Sequence, residues 1–148
     1  MDFTEAKLGR IFILRLHQNE VLHEVIEKFV SQKNVSSALC FFLGGAEDKS
    51  KVVVGPKEVE GCTIDPMVTL LKGVHEAVGV GTIFLNEEGK SKLHMHASFG
   101  RAETGVTGCV RMGVDIWLIG EVVILELTGS NAKRVKNKES SFEVLDLS

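Results

Sequence analysis

Only one stretch of this chain repeats its apolar residues at helical spacing. Val21, Leu22, Val25, Ile26, Phe29 and Val30 form a single stripe, with Glu24, Glu27 and Lys28 on the opposite face. Asn19 is placed to cap this segment and Glu20 puts negative charge at its positive end. Lys33 and Asn34 suit its C-terminal end. The pattern therefore predicts one main helix over Asn19 to Lys33. Elsewhere the apolar segments are short, β-branched or aromatic, and bounded by glycine or turn residues. One helix among roughly seven strands joined by short turns limits the chain to an α+β fold, a single domain over residues 1–148 with a largely antiparallel, curved β-sheet.

The strands read as follows. Gly9 to His17 is branched and aromatic. Ala38 to Leu43 is a continuous apolar run, as expected of a strand covered on both faces, and Gly44-Gly45 ends it. Lys51 to Gly55 is valine-rich. Gly61 to Asp65 reads as a connection, with Pro66 as punctuation. Val68 to Leu85 is strand-like but broken by Gly73, Gly79 and Gly81, which suggest bulges or close backbone approach. Asn86-Glu87-Glu88-Gly89 is a hairpin turn leading into Lys92 to Phe99. Gly100 to Gly108 is polar and glycine-containing, and is expected as a connection. Val114 to Thr128 supplies one long strand or two, with Gly120 at the kink. Phe142 and Val144 alternate briefly with polar residues, as in an edge strand.

Composition removes several classes. The chain has 148 residues, 44% of them hydrophobic and 25% charged, which is ordinary for a packed domain and excludes a disordered tail or a collagen-like rod. No uncharged apolar run approaches the roughly 18 residues of a spanning helix; the most apolar stretch is interrupted by Asp115, Glu121 and Glu126. The start, Met1-Asp2-Phe3-Thr4-Glu5, shows neither a basic nor an apolar leader, so a cytoplasmic location is expected. The net charge of −3 means that any affinity for nucleic acid needs a local basic patch. Lys133, Arg134, Lys136 and Lys138 are the candidates; for so short a run a solvated strand edge or turn is the favoured reading. No Arg-Gly-Arg-Pro hook is present. The three cysteines cannot all pair within one chain and read as free thiols or ligands. Cys40 lies inside an apolar run, as a small core residue does, and Cys62 follows Gly61 in the expected connection.

The sharpest local signal is Leu93-His94-Met95-His96-Ala97-Ser98-Phe99. On a strand, Leu93, Met95, Ala97 and Phe99 share one face and His94, His96 and Ser98 the other. Imidazoles two residues apart start about 7 Å from each other along the backbone and can converge on one ion. Two polar residues facing solvent, or bonded at a subunit contact, give the same pattern. Cys109 lies 13 residues beyond His96. A thiolate with two histidines is a favourable zinc set, and a small buried hydrophobe is the alternative for Cys109.

These segments, taken in order, resemble the PPC (plants and prokaryotes conserved) domain family over nearly the whole chain. The likeness rests on Gly9-Arg10-Ile11-Phe12-Ile13-Leu14, the helix from Val21 to Val30, Phe42-Leu43-Gly44-Gly45-Ala46, the paired-histidine strand Leu93 to Ser98, and Gly120-Glu121-Val122-Val123-Ile124. One departure stands out. Where family members commonly show Gly-Gly-His-Leu, this chain has Thr107-Gly108-Cys109-Val110, so the family's histidine falls on Cys109. Cysteine can replace histidine on zinc, with a longer bond of about 2.3 Å and an added negative charge.

The resemblance implies a homotrimer of the stand-alone prokaryotic type, with zinc at His94, His96 and Cys109. The fourth position is unassigned; water is the first candidate, since three protein ligands plus an open place is a familiar catalytic arrangement. His75 is either a further ligand or a polar residue beside the Gly73 bulge. His17 and His23, flanking the helix start, are expected at the surface. Glu121 sits in an apolar strand and needs a partner: Arg111, a subunit contact, or a role as general base. Plant members of the family carry minor-groove hooks that this chain lacks, so the expected role is DNA-associated regulation through protein partners. Two other readings remain open. One is a zinc-dependent enzyme that acts on a small substrate through a metal-bound water, assisted by Glu121 or Glu103. The other is direct DNA binding through Lys133 to Lys138. No nucleophile elbow or phosphate loop is present.

Overall fold

A computed structural model describes residues 1–58, 65–138 and 142–147; Cys62 and most of the expected connection around it lie outside the described residues. In chain order the elements are β1 (Lys7–Leu16), α1 (Leu22–Gln32), β2 (Ser37–Ala46), β3 (Lys51–Pro56), β4 (Pro66–Leu70), β5 (His75–Leu85), β6 (Ser91–Arg101), β7 (Thr104–Cys109), β8 (Ile116–Thr128), β9 (Lys133–Lys136) and β10 (Glu143–Asp146). Among the described residues, eight strands form one open sheet in the order β1-β8-β2-β5-β6-β7-β3-β4, and β9 and β10 form a separate hairpin. Every strand pairing within these sheets is antiparallel among the described residues, and a single parallel bridge joins Asn86 to Arg134. The α+β expectation holds. No helix among the described residues is long and apolar enough to cross a membrane.

The helix starts later than its sequence suggested. It begins at Leu22 rather than just after Asn19, and no side chain caps it. Asn19 takes a left-handed turn (φ 67°) and its N–H donates to the Ile116 carbonyl. Val21 forms a bridge with Asp115, so pairing to the chain before β8 displaces the expected cap. The other end follows expectation. Asn34 is left-handed (φ 53°) and the Val35 N–H reaches back to the Val30 carbonyl, the six-to-one bond of a Schellman ending. The helix buries Leu22, Ile26 and Val30. They join Phe42, Met95, Phe99, Ile116 and Ile124 in one core.

Much of the opposite face of the sheet is bare, although Arg134 of β9 reaches over it to Thr82 and Cys109 at its edge is buried. Ile13 pairs with Val123, Val123 with Phe41, Phe41 with Val80, Val80 with His96, and His96 with Cys109. A parallel row runs Ile11, Leu125, Leu39, Thr82, His94. Ile13 is 83% exposed, Leu43 59% and Val80 52%. Such a contiguous apolar surface is unusual on an isolated domain.

Two other boundaries differ from expectation, and one open alternative is resolved. Val68 to Leu85 divides into β4 and β5, separated at Gly73 (φ 84°). Val114 to Thr128 yields a single long strand, β8, with an irregularity opposite Gly44 and Gly45 where Leu118 is left-handed (φ 54°). Gly100 to Gly108 is no connection: Arg101 to Thr104 turns tightly through Ala102 (φ 51°) and the remainder is β7, paired along β6. Gly108 is required there because a Cβ would strike the Val53 carbonyl of β3. The glycine marks two backbones in close approach, which from sequence alone looks like a loop.

Candidate metal centre

Strand register brings the predicted residues onto one wall. His96 lies directly opposite Cys109 across β6 and β7. His94 is two residues along β6 on the same face, its ring centroid 5.1 Å from that of His96 and nearly perpendicular to it (87°). Cys109 is a buried free thiol, while both histidines belong to the exposed half of β6. The geometry stops short of a preformed ligand set: among the described residues no three His, Cys, Asp or Glu side chains are gathered closely enough to hold an ion.

A cleft of about 1120 Å³ opens beside this wall. Its origin lies in the strand lengths. β7 pairs with β6 only as far as Cys109 and with β3 only at Val53. Beyond the Val110 N–H, which donates to the Met95 carbonyl, β7 leaves a gap between β6 and β3 among the described residues. His94, His96 and Cys109 line one side of the gap, and Val53, Gly55 and Pro56 the other. The freed edge of β6 is capped from the helix, where Glu27 Oε1 accepts the Leu93 N–H at 2.9 Å. His23, one turn earlier, also lines the cleft, and its Nδ1 is buried without a hydrogen-bond partner among the described residues. Desolvation lowers the pKa of His94, helped by the nearby charges of Arg134, His96 and Arg111. Its imidazole therefore keeps a free lone pair to lower pH than usual.

The other candidates fall elsewhere. His75 is buried at the start of β5 and its Nδ1 bonds the Gly73 carbonyl at 2.9 Å, as a polar residue beside that turn would. His17 is exposed, as expected, whereas His23 belongs to the cleft rather than to the open surface. Glu121 does not meet Arg111. It lies on the bare face opposite Arg15, while Arg111 lines the cleft with its guanidinium 5.8 Å from the centre of the Phe142 ring. Glu103 is exposed in the turn between β6 and β7. Neither acid lines the cleft; Glu27 and Glu143 do. Cys40 is a core residue whose thiol burial pushes up to about 12.

The basic run is not one patch. Arg134 turns inward and is 7% exposed. Lys133 lies opposite Asp146 and Lys136 opposite Glu143 across β9 and β10. Strand alternation removes one cation from solvent and the hairpin gives two others acidic neighbours.

The sequence from residue 3 to residue 128 matches the family model of the Plants and Prokaryotes Conserved (PCC) domain. The chain belongs to the PCC domain family. No curated protein matches its sequence. Solved structures share the fold. A plant- and prokaryote-conserved protein of Pyrococcus horikoshii superposes with a TM-score of 0.84 at 23% identity, covering 100% of this chain and 99% of its own. A metal-containing protein of Archaeoglobus fulgidus gives 0.82 at 21% identity, covering 97% and 98%. A candidate DNA-binding protein of Ralstonia eutropha JMP134 gives 0.74 at 17% identity, covering 92% and 90%. The β9–β10 hairpin, which brings Arg134 and Glu143 to the cleft, follows the part of the chain that the PCC model matches.

Proposed function

We propose that this PCC-domain protein is a homotrimer that carries one zinc ion per chain at His94, His96 and Cys109. The observation that carries the reading is the placement of two imidazoles and a thiol at adjacent positions on one sheet face, with His96 directly across from Cys109. The donor set of nitrogen and sulfur suits zinc. The side chains must still turn toward one another to close on an ion. The description of the A. fulgidus structure as a metal-containing protein supports the same reading at the level of the fold. Bound zinc would supply a Lewis acid and a tie between β6 and β7. Two further copies of the chain would cover the bare apolar rows. The free thiols of Cys40 and Cys109 suit the cytoplasm.

Elemental analysis of the purified protein tests the metal. About one zinc per chain is expected, falling to background in His94→Ala. A wild-type protein without metal, or a variant that keeps it, rejects the assignment.

For the biological role, DNA-associated regulation through protein partners fits better than direct DNA binding. Relatives from R. eutropha and Bacteroides thetaiotaomicron are described as candidate DNA-binding proteins, but the basic run here is divided and faced by acids. A gel shift on random duplex at low salt should show no retention; retention that weakens steeply with salt would reverse this choice. The cleft itself favours a second reading, an enzyme in which zinc and a small substrate meet beside His94.

A further inference from the structure

We propose that the cleft beside His94 binds a small organic anion, with Arg134 gripping its carboxylate or phosphoryl group and the apolar wall holding its body. This goes beyond the zinc reading and does not rest on it.

The argument begins with Arg134. It is 7% exposed on β9. One terminal nitrogen, Nη2, donates to Thr82 Oγ1 at 2.9 Å, and the guanidinium stands 5.7 Å from the centre of the Phe84 ring. Its Nε is buried with no hydrogen-bond partner among the described residues. Among the described residues no carboxylate lies within ion-pair distance of it. Glu143 on β10 acts on it only from beyond ion-pair distance; a buried guanidinium with no carboxylate in direct contact is costly, and it is a shape that takes an oxyanion by two parallel hydrogen bonds.

The surroundings agree. Arg111 and Lys92 line the same cleft. The acids facing them are Glu27, already engaged by the Leu93 N–H, and Glu143 on the exposed strand β10. Cations therefore outnumber carboxylates here, in a chain whose net charge is −3. Val53, Leu93, Phe142 and Val144 supply apolar lining. The volume, about 1120 Å³, is that of a site for an organic molecule rather than an inorganic ion.

The test is calorimetric titration of the full-length protein, chelator-treated and zinc-reloaded, with phenyl phosphate, with benzoate, and with benzyl alcohol as the neutral probe. Saturable binding of at least one anion is expected in both preparations, with none of the alcohol; the preferred anion identifies the headgroup. Arg134→Gln should weaken binding about tenfold or more, Arg134→Lys should keep part of it, and Lys133→Gln, outside the cleft, should leave it unchanged. In wild-type protein, amide shifts on adding the anion should centre on Thr82, Arg134 and Phe142, a readout that needs no variant. Failure of both anions to saturate, equal binding by Arg134→Gln, or shifts centred elsewhere overturns the proposal. Anion binding by a protein that takes up no zinc on reloading would sink only the metal reading. Zinc without anion binding would sink only this one.

Discussion

Along β6 two sets of residues alternate and have nothing in common but their backbone. Leu93, Met95, Ala97 and Phe99 are sealed into the core. His94, His96 and Ser98, each one residue away, face a bare sheet surface. Position parity on the strand decides whether a side chain holds the fold together or is available for binding and assembly. Stability and function should therefore separate by parity, and the sharpest tests are substitutions on neighbouring residues.

The largest expected effect is on the covered face. Phe99 is 1% exposed, and Phe99→Ala removes a ring with no means of refilling the space, at a cost of about 3–5 kcal/mol. Ser98→Ala, next to it, loses an exposed hydrogen bond to Thr107 and should cost less than about 0.5 kcal/mol. Denaturant titration of the two variants checks this. Similar losses would mean that the bare face is structural after all.

The next test addresses what covers that face. Phe41 lies at the centre of the apolar rows, paired with Val123 and Val80, and is 42% exposed. Phe41→Glu should leave the single chain folded, since its neighbour Phe42 still fills the core. It should reduce the mass measured by light scattering from three chains to one, because a buried, unpaired carboxylate at a subunit contact is costly. A variant that stays trimeric would move the interface elsewhere.

How far the chain could be read without coordinates follows the same division. Alternation in β6, the helical stripe and the Asn86 to Gly89 turn are local patterns, and they predicted the core face, the one helix and the β5–β6 hairpin. What escaped prediction depends on distant segments. Gly108 looks like a loop residue until β3 is seen passing close to it. Glu27 belongs by period to the polar face of the helix, yet it caps the freed edge of β6. Arg134 is one of four clustered cations until β9 turns it inward. His94, His96 and Cys109 were legible as neighbours because two of them share a strand and the third lies one short hairpin away. The cleft beside them was not, since its walls come from segments far apart in the chain.

The smallest effect repeats the comparison in charged residues on β8. Glu121 faces the bare surface, while Glu126, five residues on, is buried on the covered side. A bulge in β1 around Gly9 and Arg10 frees a backbone N–H, which Glu126 Oε2 accepts at 2.9 Å. The Arg10 side chain adds bonds from Nε at 2.7 Å and Nη2 at 2.6 Å. Its Nη2 also donates to the Lys33 carbonyl at the helix end. The side-chain bond from Arg10 is the main reason the Glu126 carboxyl is lowered to about 2, with the Arg10 backbone N–H assisting and burial opposing. A carboxyl depressed in the fold stabilises it fully above its ordinary pKa of 4.5 and loses that contribution as pH falls toward about 2. Glu126→Gln should accordingly lower Tm at pH 7 by about 2–4 °C. The gap to wild type should narrow below pH 4.5 and close near pH 2. Thermal unfolding of chelator-treated protein keeps zinc release out of the comparison. A gap of the same size at both ends of the range would mean that the ion pair is not what anchors β1 to β8.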